Sequence, residues 1–107
     1  MRIENITSAQ NPKIKLLLEL QEKSKTRRKE GLFVVEGRRE LLHCIESGYQ
    51  VHTLFLCREI LNDSDLEEIL NALDRQDAQA GIFEIPSQLY DKVAYRGGTE
   101  GVVAELK

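Results

Sequence analysis

Four short apolar runs alternate with stretches of helical period, which predicts an α/β domain on a four-stranded, largely parallel (mixed) sheet with helices on both faces. The run from Val51 to Cys57 has large apolar residues at both odd and even positions, as a central strand covered on two sides requires. A length of 107 residues suits one domain, so residues 1–107 read as a single unit.

The elements follow in order. Asn11-Pro12 opens the first helix, with proline in the first turn, where its missing N–H leaves nothing unpaired. Ile14, Leu17, Leu18 and Gln21 follow helical spacing, and the helix is expected to dissolve in the polar run from Lys23 to Gly31. Leu32-Phe33-Val34-Val35 reads as a buried strand. A helix beginning near Gly37 should bury Leu41, Leu42 and Ile45 and stop at Ser47-Gly48. After the central strand, Ser64 and Glu67 form a capping box for a helix that turns Leu66, Ile69, Leu70 and Leu73 inward. Gly81 to Ile85 is a strand closed by Pro86, and Ser87 caps a short helix carrying Leu89 and Val93. The loop from Tyr95 to Gly101 leads into the last strand, Val102-Val103-Ala104.

Net charge is −3, but its distribution is uneven. Residues 1–40 hold ten Lys/Arg against six Asp/Glu, and the remainder holds five against twelve. The split predicts one basic face for a polyanion and an acidic remainder that aids solubility. Five cations occupy the seven positions from Lys23 to Lys29, with Lys25, Arg27, Arg28 and Lys29 as candidate phosphate contacts. The alternative is a solvated connection between helix and strand. A second candidate is Glu36-Gly37-Arg38-Arg39, where free N–H groups and a helix dipole favour an anion. There Arg38 either grips a phosphate or is an internal strut paired with Glu36. In the loop at 95–101, Tyr95 and Arg96 could meet a base and a phosphate, although a turn that admits the last strand is the preferred reading.

Nothing points to catalysis or a cofactor. Cys44 and Cys57 lie in apolar runs without metal-ligand spacing, and free thiols suit a reducing cytoplasm. His43 and His52 have no carboxylate or nucleophile at a recognisable spacing. No apolar stretch approaches the roughly 20 residues of a membrane span.

Ile6-Thr7-Ser8, Asn11-Pro12-Lys13-Ile14-Lys15, a basic stretch ending in Arg27-Arg28, Phe33-Val34-Val35-Glu36-Gly37 and Gly101-Val102-Val103-Ala104 form a linked series. The series resembles the N-terminal substrate-binding domain of SpoU (TrmH-type) RNA 2′-O-ribose methyltransferases. The resemblance implies a three-layer α/β/α sandwich akin to the ribosomal proteins that bind kink-turn RNA, and docking of ribosomal or transfer RNA for methylation. It places Asn11, Lys13, Lys15, Glu36 and Gly37 among the candidate RNA contacts; of these Asn11 and Glu36 rest on the resemblance alone, since by themselves they read as a helix cap and a local partner. It also implies that S-adenosylmethionine binding, methyl transfer and dimerisation belong to a knotted C-terminal domain absent from this chain, which on its own would be monomeric. Two rivals stay open: a freestanding ribosomal-type RNA scaffold, and an acidic protein-interaction module.

Overall fold

A computed structural model describes residues 2–95, 97 and 100–107. These form β1 (Ile3–Asn5), α1 (Pro12–Glu22), α2 (Ser24–Glu30), β2 (Phe33–Glu36), α3 (Arg38–Glu46), β3 (Val51–Leu56), α4 (Asp63–Arg75), β4 (Gly81–Glu84), α5 (Ser87–Val93) and β5 (Val102–Leu106). The strands make one sheet in the order β1-β4-β3-β5-β2. The pairs β1/β4 and β3/β4 are parallel, whereas β5 is antiparallel to both β3 and β2. Four strands therefore point one way and β5 points the other.

Two apolar clusters sandwich this sheet. On one face Ile14 and Leu17 of α1 and Leu89, Tyr90 and Val93 of α5 meet Phe55, Phe83 and Val103. On the other, Leu41 of α3 and Leu66, Ile69 and Leu73 of α4 meet Leu54, Leu56, Val102 and Ala104. All five residues of β5 are buried. The three-layer arrangement agrees with the expectation from sequence.

Several details do not. The sheet has five strands, not four, because Ile3–Asn5 adds to β4 in parallel register. The basic run is not a dissolved loop but a second helix, α2, which buries none of its residues. Lys23, extended at φ −120° and ψ 113°, serves as both the C-cap of α1 and the N-cap of α2. The last carbonyls of a helix lack intrahelical partners. Here Arg27 reaches back with Nη1 to donate to the carbonyls of Leu20 at 2.7 Å and Gln21 at 3.4 Å. Thr26 Oγ1 donates to Glu19 Oε1 at 2.9 Å. These polar contacts fold α2 back against α1 without an apolar stripe. Gly31, left-handed at φ 69°, ends it.

Two caps also move. The side chain of Asn62 accepts from the Asp65 N–H at 2.8 Å and caps α4, so the Ser64/Glu67 capping box lies within the first turns of a helix already begun. Pro86 is the N-cap of α5, and the N–H of Ser87 donates to Glu59 Oε1 at 2.9 Å. A carboxylate distant in sequence does the work expected of the serine hydroxyl.

Candidate RNA interface

The candidate residues fall on two sides of the edge strand β2. On the α1–α2 side, Asn11 caps α1 by accepting from the Lys13 N–H at 2.9 Å. Lys13 Nζ lies 5.2 Å from the centre of the Phe83 ring, a cation–π distance, and the residue is exposed. Lys15, Lys25, Arg28 and Lys29 are exposed. No carboxylate lies within ion-pair distance of them among the described residues. Among the described residues Arg28 Nη1 donates only to the Ser24 hydroxyl at 3.4 Å, and cations in water without ion pairs can exchange counterions for phosphates at little cost. Arg27 is half-buried and committed to the end of α1. It shapes the surface, and its neighbours on α2 carry the free charge.

The other side differs. Gly37, with φ 106°, is the N-cap of α3. A methyl group placed there would lie 2.8 Å from Glu40 Oε2 and 3.4 Å from Glu100 Oε1. The chain's own carboxylates therefore crowd this helix N-terminus. Arg38, whose side chain is 33% exposed, places Nη1 2.7 Å from Glu68 Oε1 and Nε 3.5 Å from Asp65 Oδ1, joining α3 to α4. Its partners are these two carboxylates of α4, not Glu36. Arg39 is exposed beside His43 and Glu46. Glu36, only 9% exposed, accepts the Tyr95 N–H at 2.6 Å through Oε1.

The Arg38 geometry carries a prediction. Partly exposed ion pairs contribute up to about 1 kcal/mol each, so Arg38→Ala should lower the melting temperature by roughly 4–8 °C. The same variant should leave RNA affinity within about twofold of the parent. An unchanged melting curve with tenfold weaker RNA binding would return Arg38 to the phosphate-binding set.

Sequence reasoning missed three features. A cavity of about 410 Å³ lies between the α1–α2 hairpin and β2, lined by Gln21, Arg27, Phe33, Glu36 and Tyr95 among others. Tyr95 is 86% exposed, and its partner Glu36 is 59 positions away, so no local signal marks the pair. Glu105 on β5 is a carboxylate buried to 2% exposure. Arg96 and Gly98 of the same loop lie outside the described residues. Among the described residues no cluster of His, Cys, Asp and Glu could hold a metal ion, and no helix is long and apolar enough to cross a membrane.

Comparison with known proteins adds the following. Residues 11–104 match the profile of the MRM3-like substrate binding domain. The fold is similar to that of an rRNA methyltransferase from Sinorhizobium meliloti, with 18% identity and a TM-score of 0.79 over 100% of this chain and 38% of that one. An RNA 2′-O ribose methyltransferase aligns with 24% identity and a TM-score of 0.77, over 96% of this chain and 37% of its own. The SpoU methyltransferase AviRb from Streptomyces viridochromogenes aligns with 22% identity and a TM-score of 0.69, over 91% and 33%. The chain thus spans little more than a third of the solved structures it matches. No curated protein sequence matches it.

Proposed function

Because this chain belongs to the MRM3-like substrate binding domain family, we propose that it docks ribosomal or transfer RNA for a SpoU-type, S-adenosylmethionine-dependent 2′-O-ribose methyltransferase of which it forms one domain. The observation that carries this reading is the solvated helix α2, whose Lys25, Arg28 and Lys29 have no ion pair among the described residues. A helix that buries no residue and concentrates unpaired cations gains little for the fold. It suits phosphate contact, with Lys13 and Lys15 of α1 extending the basic face.

Methyl transfer belongs, in this proposal, to a separate domain of a longer protein that also supplies the dimer contact, this domain being monomeric. The free thiols Cys44 and Cys57 support a reducing, cytoplasmic setting.

The test is the salt dependence of binding between the 107-residue chain and an RNA hairpin. With four to six cations on phosphates, log K should fall against log salt with a slope of about −3 to −4. Replacing Lys25, Arg28 and Lys29 together by alanine should make the slope shallower by about 2. A slope near zero in the parent sequence removes the electrostatic basis of the proposal.

A further inference from the structure

The cavity beside β2 has a floor, a wall and a rim of different chemistry. Leu20 and Phe33 give it an apolar surface, and Arg27 stands in its wall with one guanidinium nitrogen already fixed on the end of α1. Gln21 also lines it, and its Nε2 donates to the Val93 carbonyl at 2.7 Å. That contact fixes the amide, since the opposite orientation would set oxygen against oxygen. Gln21 Oε1 is thereby left as an acceptor with no protein donor among the described residues. At the rim, Tyr95 holds an 86% exposed ring on a backbone that Glu36 anchors at 2.6 Å. A large aromatic ring in water, fixed at its base, next to a concave site and with no ring partner among the described residues, is a stacking surface.

We propose that this cavity receives one unpaired nucleobase of the RNA, stacked on Tyr95, with its exocyclic amino group donating to Gln21 Oε1. The proposal rests on the RNA-docking function above and adds which part of the RNA is gripped. Leu20, Phe33 and Tyr95 give the cavity apolar surface that suits the flat face of a base, while the backbone stays outside. There Lys25 and Arg28, within one helical turn of Arg27 on α2, meet the phosphates. Adenine, cytosine and guanine carry an exocyclic amino group and uracil does not, so a base with an amino group is favoured over uracil, and adenosine represents that class in the test.

The experiment uses three RNA hairpins that are identical except for one bulged position: an unpaired adenosine, an unpaired uridine, or none. The 107-residue chain should bind the adenosine hairpin about tenfold more tightly than the fully paired one, and the uridine hairpin with intermediate affinity. Tyr95→Ala should abolish the preference for a bulge, and Tyr95→Phe should retain it because the phenyl ring still stacks. If the three hairpins bind equally and with a steep salt dependence, the base pocket is overturned while RNA docking stands. A bulge preference that survives Tyr95→Ala overturns it in the same way. If no hairpin binds even at low salt, the docking function falls and the pocket with it.

Discussion

A Gly101→Ala variant is expected to melt ten degrees or more below the parent sequence. Gly101 opens β5 at φ 82°, a conformation that opposes any side chain. An added methyl would also lie 2.7 Å from the backbone nitrogen of Leu61 and 2.9 Å from its Cβ. Neither neighbour is the end of a flexible chain, so the strand itself must shift. That shift loosens the bond from the Gly101 N–H to the Tyr90 hydroxyl, 2.9 Å long and buried. Burial also pushes the Tyr90 hydroxyl up to about 12, which keeps it neutral. Backbone strain and overpacking together cost about 2–4 kcal/mol, and each kcal/mol shifts the melting temperature of a domain this size by roughly 4–8 °C. Gly48 supplies the control, with φ 98° but nothing within 4 Å of an added methyl. Thermal unfolding should show Gly48→Ala losing far less, and equal losses would refute the steric argument.

The second large effect concerns pH. Glu105 is held among Thr53, His52, Lys13 and Glu30. Its Oε2 is the buried side-chain oxygen without a hydrogen-bond partner among the described residues. Burial pushes its pKa up to about 7 from an ordinary 4.5, against the opposing pull of the Thr53 hydroxyl and the Lys13 charge. Below pH 4.5 the group is protonated in both folded and unfolded chains, and its stabilising contribution is fully present. As pH rises from 4.5 to 7 the unfolded chain loses its proton first, so folding becomes progressively less favourable, and above pH 7 the loss is complete. At 1.36 kcal/mol per pKa unit the total approaches about 3 kcal/mol. Glu105→Gln, uncharged at every pH, should be more stable than the parent at pH 8 and indistinguishable from it near pH 4.5. Denaturant titrations at the two pH values decide the matter. A stabilisation that does not depend on pH would show that ionisation is not its cause.

What was legible in the sequence is what repeats locally. The apolar spacing of α1 and α4 and the two-sided run of β3 announce themselves within a window of ten residues. β1 is three residues long with one apolar side chain, Ile3, facing a core, and its strand character exists only in pairing with β4. α2 has no apolar period at all. Its helical state follows from Arg27 satisfying carbonyls that α1 leaves open, a relation that appears once both helices are in place. The candidate site shows the same limit. The clustering of cations was visible, but their division was not. Arg38 belongs to Asp65 and Glu68 across a packed interface, whereas Lys25, Arg28 and Lys29 pair with no carboxylate among the described residues. A list of charges does not contain that difference.

The position of β5 sets a timetable for synthesis. β2 touches the sheet only through β5, by pairings that run from Phe33 with Leu106 to Glu36 with Val103. On the ribosome β2 is made early and then waits while roughly 65 further residues are added, on the order of several seconds at cellular elongation rates. Throughout that interval its backbone donors and acceptors have no sheet partner. The half-formed chain presents an open strand beside its most basic segment, the arrangement most exposed to capture by other chains or by stray RNA. Such a chain closes its sheet late and cooperatively, with the strand that ends the wait also filling the middle of the core.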